Sequence, residues 1–193
     1  MAIDKVTSAG LTEDIITGQT AETTIADDDL ILLSDTSASA ALKKMTRSNF
    51  VSGIGGTNTP SFLAKSAGFQ SIASATHTVI VFGTEVIDTD NAFASNAFTV
   101  PSGKGGKYFL YAQTGQQNWS ANRGLIIIQK GGSTDIAAGE ITTAEAHYPT
   151  VSASTIHDLS AGDVVNCTFY HNNGSSRDIS TGDRTLFMGF KLI

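Results

Sequence analysis

Four histidines and a single cysteine are the side chains in this sequence with the most versatile chemistry. The histidines are His77, His147, His157 and His171, and no two of them lie within four residues of each other. Histidine-based zinc sites use closer pairs, as in a His-Glu-x-x-His helix. We therefore interpret each as a surface or loop histidine rather than a ligand, and we expect no cofactor and no essential metal.

The cysteine, Cys167, lies inside the apolar run Val164–Tyr170. A catalytic thiol needs a neighbouring base, and the sequence indicates none, so we predict a small buried core residue. No Gly-x-Ser-x-Gly nucleophile elbow occurs, and the spacing of Gly103–Lys107 differs from that of a P-loop. No pair of carboxylates stands out as a glycosidase pair. We predict that the protein is not an enzyme.

The acidic stretch Asp88-Thr-Asp-Asn91 offers several oxygen atoms, which is what a calcium ion requires. Asp88 and Asp90 are accordingly the candidate calcium ligands. The spacing is not that of an EF-hand, and Asp and Asn are also the residues that favour tight turns. We favour the turn interpretation.

Short β-strands must position these groups. Across Val79–Tyr111, aromatic and β-branched residues occur in short runs separated by Gly, Asn, Asp and Pro, which is typical of consecutive antiparallel strands. Runs of this kind recur to the end of the chain and predict eight to ten strands, a number that suits an all-β, two-sheet antiparallel jelly-roll sandwich. The predicted strands include Phe62–Lys65, Phe69–Ile72, Thr76–Phe82, Tyr108–Gln113, Arg123–Lys130, Thr150–Ser154, Asp163–Tyr170 and Arg184–Leu192.

Several motifs in these strands resemble the globular heads of complement component 1q. Such heads resemble tumour-necrosis-factor jelly rolls, and both families form tight trimers. The resemblance therefore implies a trimeric jelly roll. The residues that carry it are Phe82, Asp88 and Phe93, the segments Gly106–Leu110 and Leu159–Val165, and the closing strand Thr185–Ile193.

The run Leu125–Ile128 bears on the trimer. A surface strand exposes every second residue, so four consecutive aliphatic residues predict burial on both faces. The second face lies either under a loop or on a trimer axis, and the resemblance favours the axis. We predict Ile126, Ile128, Tyr108 and Tyr111 as trimer-interface residues.

Residues 1–56 differ from the rest of the chain. An acidic run precedes the apolar segment Leu30–Ser34, and a second short strand, Leu42–Met45, follows a turn-like sequence. Thr46 is a candidate N-cap for a short helix. Glycine and proline in Gly53–Pro60 indicate a domain boundary. We predict an N-terminal hairpin-plus-helix segment over residues 1–56, a linker over 57–60 and a jelly roll over 61–193.

The segment Asp28–Phe50 is similar to a short module common in tailed-phage fibre and appendage proteins. A hairpin alone buries too little apolar area to be stable, so it must pack on a copy of itself or on another protein. The alternative is a small N-terminal subdomain that packs on the sandwich of its own chain. The resemblance implies attachment to other virion proteins of a capsid or tail. The candidate attachment residues are Leu30, Ile31, Leu32 and Leu33.

Charge and hydropathy exclude other classes. The net charge is −6 and no basic patch is visible, so nucleic-acid binding lacks its electrostatic driving force. No apolar run reaches membrane-spanning length, and the first ten residues do not resemble a signal peptide. We expect synthesis in a bacterial host cytoplasm, a place on the virion surface and no membrane insertion.

These observations predict a non-enzymatic bacteriophage structural protein. It would be a homotrimeric short fibre or knob, attached through its N-terminus and displaying the jelly roll toward a host-surface glycan or protein. The eight residues Gly53–Pro60 span less than roughly 30 Å, so the knob would sit close to its attachment point. A capsid decoration protein that cements the shell, and a secreted lectin-like binding module, are the alternatives.

Overall fold

A computed structural model of the protein describes residues 24–35, 37, 41–52, 58–117, 123–142 and 148–192. The chain divides into two compact units, Met1–Gly55 and Gly56–Ile193. This division falls one residue before the end of the segment 1–56 distinguished in the sequence. Most of the predicted boundary, residues 53–57, lies outside the described residues, as does His147.

The first unit is a hairpin followed by a helix, as predicted. Strand β1 (Leu30–Asp35) pairs antiparallel with β2 (Ala41–Thr46), and helix α1 (Arg47–Ser52) follows directly. The helix begins after Thr46 because the Thr46 hydroxyl oxygen accepts a hydrogen bond from the Asn49 amide at 3.4 Å. Of the residues described in this unit, none is buried. The described residues of this unit therefore enclose no hydrophobic core.

In the described part of the second unit, all regular secondary structure consists of β-strands. They are β3 (Ser61–Ser66), β4 (Gln70–Ile72), β5 (Thr78–Val79), β6 (Thr84–Asp88), β7 (Phe93–Ala94), β8 (Ala97–Thr99), β9 (Gly106–Gly115), β10 (Arg123–Lys130), β11 (Thr134–Thr142), β12 (Thr150–Leu159), β13 (Val164–His171), β14 (Arg177–Ile179) and β15 (Gly182–Lys191).

These strands form two antiparallel sheets. The first sheet has the spatial order β12-β9-β15-β3-β6. The second has the order β11-β10-β13-β8-β7, with β5 added alongside β13, and β4 pairs with β14 in a separate ribbon. The all-β, two-sheet prediction is confirmed. Among the described residues, no helix is long and apolar enough to cross a membrane.

Stacked aromatic rings fill the core between the sheets. The Phe62 ring lies 4.6 Å from that of Phe98 and 5.3 Å from that of Phe93, and it meets Phe187 edge-on at 4.8 Å. Offset and edge-on pairs are the favoured arrangements of aromatic rings. Phe93 and Phe187 also belong to the motifs that resemble complement component 1q. Those motifs therefore contain residues that pack in the core.

Three predicted trimer-interface residues belong to this core, and their assignment was wrong. Tyr108, Ile126 and Ile128 are fully buried within a single chain, so they cannot contact another copy. The expectation that Leu125–Ile128 is covered on both faces holds at Ile127, which is 4% exposed within the single chain. Its burial therefore needs no trimer axis.

The predicted strand Thr76–Phe82 forms only the two-residue β5. Beyond it the chain leaves the regular sheet, with Ile80 and Phe82 buried and Val81 exposed. The Ile80 amide still donates to the Cys167 carbonyl of β13 at 2.9 Å, and side chains bind the next backbone groups. The Gln70 amide donates to the Val79 carbonyl at 2.8 Å, its oxygen accepts from the Val81 amide at 2.9 Å, and Asn96 Oδ1 accepts from the Phe82 amide at 2.8 Å.

Sequence patterns missed β11 and shortened β12. The segment that forms β11, TDIAAGEIT, is rich in alanine and glycine, which have low strand propensity. It pairs with β10 and also lies against β12, where the Gly139 backbone approaches that of Ser152. The strand predicted at Thr150–Ser154 continues to Leu159 because it pairs with β9 over its full length.

Candidate interaction surface

The outer side of the five-stranded sheet carries a continuous apolar surface. Along β9, Tyr108 and Leu110 point into the core while Phe109 and Tyr111 lie on the opposite face and are half-buried. Successive side chains of a strand point to opposite faces, and here both faces are apolar. A strand that is apolar on both faces needs a second partner for its outer side.

The strand register assembles this surface from neighbouring rows. Met188 on β15 is the direct partner of both Tyr111 on β9 and Leu63 on β3. Phe109 pairs with Phe190, and their rings are 5.4 Å apart. Directly paired residues share one face of a sheet. The outer apolar face, as we call this surface, consists of Leu63, Ile87, Phe109, Tyr111, Ile156, Leu186, Met188 and Phe190.

The margins of the outer apolar face are the most exposed. Ile156 on the edge strand β12 is 60% exposed, and Ile87 on the opposite edge strand β6 is 47% exposed. An apolar surface that runs from one edge of a sheet to the other is typical of a protein–protein contact. It is the feature of this unit that best fits an interaction site.

A polar network holds one end of this face in place. The Tyr111 hydroxyl donates to Gln113 Oε1 at 2.6 Å, and the Gln113 amide donates to the Asp183 carbonyl at 2.8 Å. The Asp183 carboxylate also pairs with Lys65. The Tyr111 ring is therefore fixed in orientation while its hydroxyl keeps a hydrogen bond, which allows the ring to be covered by a partner.

Of the four predicted trimer residues, only Tyr111 lies on this face. Sequence reasoning missed Phe109, Met188 and Phe190. The signal was present, because YFLY in β9 and LFMGF in β15 place large apolar residues at both odd and even positions. The alternation of side chains does not show whether the odd-numbered or the even-numbered residues of a strand face the core.

The acidic stretch forms a turn that uses its own oxygens. Asp88 Oδ1 accepts from the Ala92 amide at 2.9 Å and Oδ2 accepts from the Phe93 amide at 3.0 Å. Asp90 accepts from the Thr89 hydroxyl at 2.7 Å. Among the described residues, no group of three or more His, Cys, Asp or Glu side chains is placed to hold a metal ion. These contacts favour the turn interpretation over calcium.

The three histidines that the structure describes, His77, His157 and His171, belong to no metal-binding group. His77 is exposed and its ring lies 4.9 Å from Tyr170, and His157 is half-buried on β12. The surface assignment was wrong for His171, which is fully buried in β13. Its Nε2 lies 2.9 Å from the Ile72 carbonyl oxygen, and its Nδ1 accepts from the Asn173 amide. His171 thus links the end of β4 to the loop that follows β13.

Two buried side chains have perturbed acidities. The prediction of a buried Cys167 is confirmed, and burial raises the pKa of its thiol well above the usual value. Burial also raises the pKa of Tyr108 to about 12, and the nearby negative charge of Asp90 adds to the rise. The Tyr108 hydroxyl donates to the Lys104 carbonyl at 2.7 Å. Both groups stay neutral at ordinary pH and serve packing.

In the first unit, the predicted attachment residues fall on two faces of the hairpin. Leu30 and Leu32 are 60% and 70% exposed, whereas Ile31 and Leu33 are half-buried. A groove of about 490 Å³ runs beside the helix. Its lining residues are Ile25, Asp29, Leu30, Ile31, Arg47, Phe50 and Val51.

The solved structures that this chain resembles include three animal proteins. The globular domain of the zebrafish complement 1qA protein matches with a TM-score of 0.52 at 15% sequence identity, over 69% of this chain and 98% of that chain. Murine APRIL at pH 5.0 matches with a TM-score of 0.55 at 14% identity, over 68% and 98%. Eiger TNF from S. frugiperda matches with a TM-score of 0.51 at 10% identity, over 69% and 92%.

The fold is a jelly roll of the complement 1q and tumour-necrosis-factor type. The resemblance noted in the core motifs is thereby confirmed at the level of fold. No protein-family profile matches the sequence, and no curated protein matches it.

Proposed function

We propose that this chain is a non-enzymatic structural protein of a tailed-bacteriophage virion. Residues 61–193 form a trimeric knob, and residues 1–56 attach it to a capsid or tail protein. The protein is made in the bacterial host cytoplasm and resides on the virion surface. The knob faces outward, toward a glycan or protein of the host surface.

The outer apolar face is the observation that supports the trimer most directly. Phe109, Met188 and Phe190 lie together on a side of the sheet that a single chain leaves half-covered. Contact with further copies removes this apolar area from water, which is the main driving force of association. The trimers implied by the sequence resemblance agree with this, and closed cyclic assemblies avoid open-ended growth.

The attachment role rests on the first unit. Its described residues include exposed Leu30, Leu32 and Phe50 but none that is buried. A segment that cannot close a core of its own gains one from a partner. The similarity of Asp28–Phe50 to phage appendage modules supports a partner in the virion.

The absence of enzymatic activity is part of the proposal. Cys167 is sealed in the core, and both carboxylate oxygens of Asp88 accept backbone hydrogen bonds. These were the best candidates for chemistry in the sequence. Their contacts are those of structural residues.

The test uses particles that lack this protein. One preparation is residues 1–56 fused to an unrelated trimeric carrier, and the other is the isolated knob, residues 61–193. The carrier fusion should bind to the particles, and the knob should fold, run as a trimer in light scattering and not bind. The carrier alone is the matched control.

Inverted binding would overturn the attachment assignment. If the isolated knob decorates the particles and the carrier fusion does not, the jelly roll is a cement on the shell and the hairpin is the outward element. A folded, monomeric knob would overturn the trimer. If neither the carrier fusion nor the isolated knob binds to the particles, the proposed place in the virion is wrong.

A further inference from the structure

The first unit exposes two leucines on one face of its hairpin. Leu30 and Leu32 alternate with Ile31 along β1, so they share a face, and they are 60% and 70% exposed. Their direct partners on β2 are Thr46 and Lys44. We infer that this face packs against the same face of neighbouring copies, so that the N-terminal unit is a second trimerisation element. This inference rests on the proposed trimer of the knob.

Tethering makes a second copy the most available occupant. Eight residues, Gly53–Pro60, separate α1 from β3, a span of less than roughly 30 Å. In a trimeric knob, three N-terminal units are held within that distance of their attachment points. Short tethers give effective concentrations on the order of millimolar. Two exposed leucines per copy then associate without needing high intrinsic affinity.

Charge in the first unit is compatible with self-association. Asp28 precedes β1 and Lys44 lies on β2, and both are exposed. Each copy therefore presents both signs of charge, so neighbouring copies can pair opposite charges. Lys44 lies on the same face as Leu32, and its aliphatic stem can cover apolar surface while its ammonium group stays in water.

The exposed apolar residues of the unit serve two partners. Leu32 contacts neighbouring copies, and Leu30 lies at the border of the two contacts, because it shares a face with Leu32 and also lines the groove beside α1. The rest of this groove, where Ile25, Phe50 and Val51 are exposed, remains for the particle. An anchor assembled in this way presents three identical grooves to its attachment site. Attachment then requires trimers, since the described residues of a single hairpin enclose no core.

The test is cysteine cross-linking in the full-length chain. Leu32→Cys should form disulfide-linked dimers under mild oxidation of the free trimer, and Asn49→Cys, at an exposed position of α1, should not. The native Cys167 is buried, so the unsubstituted chain is the background control. A second measurement uses Leu30→Asp combined with Leu32→Asp. Trypsin should cleave this variant after Lys43, Lys44 or Arg47 at least about tenfold faster than the parent chain.

Light scattering of the same samples tests the trimeric knob separately from the second trimerisation element. A trimer without cross-links at Leu32→Cys overturns the second trimerisation element and leaves the trimeric knob standing. Equal cross-linking at Leu32→Cys and Asn49→Cys also overturns it, because the contact would not be specific to this face. A monomeric chain overturns both. If a maleimide labels Leu32→Cys freely in the trimer and is excluded only after particles are added, the occupant is a particle protein instead.

Discussion

A Cβ atom on Gly139 would overlap the carbonyl oxygen of Ser152. Strands β11 and β12 belong to different sheets, so this backbone contact closes one edge of the sandwich. We predict that Gly139→Ala destabilises the knob by roughly 1–3 kcal/mol or more, because the strands must separate. Thermal unfolding followed by circular dichroism measures the effect.

Gly68→Ala is the matched control for that substitution. A Cβ atom at Gly68 meets no atom within 4 Å, so we expect its melting temperature to stay within about a degree of the parent's, consistent with the small effects of exposed substitutions. Equal stability of Gly139→Ala and the parent chain would mean that β11 and β12 do not meet at this glycine.

The second prediction separates core residues from residues of the outer apolar face. Ile126→Asp should abolish folding because it buries an unpaired charge at a fully buried position. Met188→Asp should give a folded monomer, because Met188 is half-buried in a single chain and would be covered only in the trimer. Size-exclusion chromatography with light scattering, together with circular dichroism, distinguishes the two results.

Ser133→Asp supplies the control for added charge. Ser133 is exposed in the turn between β10 and β11, and this variant should remain a folded trimer. A trimeric Met188→Asp would move the interface away from the outer apolar face.

Much of the fold could be predicted because core packing leaves a pattern in the sequence. The prediction of β10 was correct at both ends, since its aliphatic run is bounded by glycine and charged residues. Phe93 and Phe187 carried the resemblance to the jelly-roll family and lie in the aromatic core. The N-cap at Thr46 followed from local chemistry alone.

The remaining features depend on contacts between distant residues. Tyr108 and Phe109 are adjacent aromatic residues, and only the pairing with β15 and β12 decides which one faces the core. The Val81 amide donates a hydrogen bond to the side chain of Gln70, which lies eleven positions earlier in the chain. The middle of strand β11 is Ala-Ala-Gly-Glu, which has low strand propensity, and its position depends on the tertiary contact at Gly139.

The third prediction concerns the Asp88 turn. Asp88→Ala removes the acceptor of two backbone amides, those of Ala92 and Phe93. Hydrogen bonds to charged groups contribute about 1.5–3 kcal/mol each, and we expect a loss of at least that size. Asp90→Ala should cost less, since among the described contacts Asp90 accepts from the Thr89 hydroxyl and lies 3.9 Å from the Lys104 ammonium.

Calcium addition and chelation test the other interpretation of this turn. Both treatments should leave the melting temperature of the parent chain unchanged. A drop on chelation that calcium reverses, and that disappears in Asp88→Ala or Asp90→Ala, would show instead that the stretch binds the ion.

The fourth prediction is a loss of stability at alkaline pH that depends on Tyr108. Burial, with a contribution from Asp90, raises the pKa of Tyr108 from 10.0 to about 12 in the folded protein. The unfolded chain therefore releases this proton first as the pH rises. The stabilisation is fully present below about pH 10 and is lost progressively as the pH rises from about 10 to about 12. Denaturant midpoints across this range should fall less steeply in Tyr108→Phe.

Absorbance of ionised tyrosine gives an independent measurement of the same group. In the folded parent chain, the Tyr108 hydroxyl should ionise near pH 12, and this late component should be missing from Tyr108→Phe. Tyr111→Phe is the matched control, because it removes a hydroxyl three positions along β9 while leaving the bond from Tyr108 to the Lys104 carbonyl in place. The prediction is wrong if the late component persists in Tyr108→Phe, or if the parent chain and Tyr108→Phe lose stability in parallel. Ionisation of the Tyr108 hydroxyl would then not cause the loss of stability at alkaline pH.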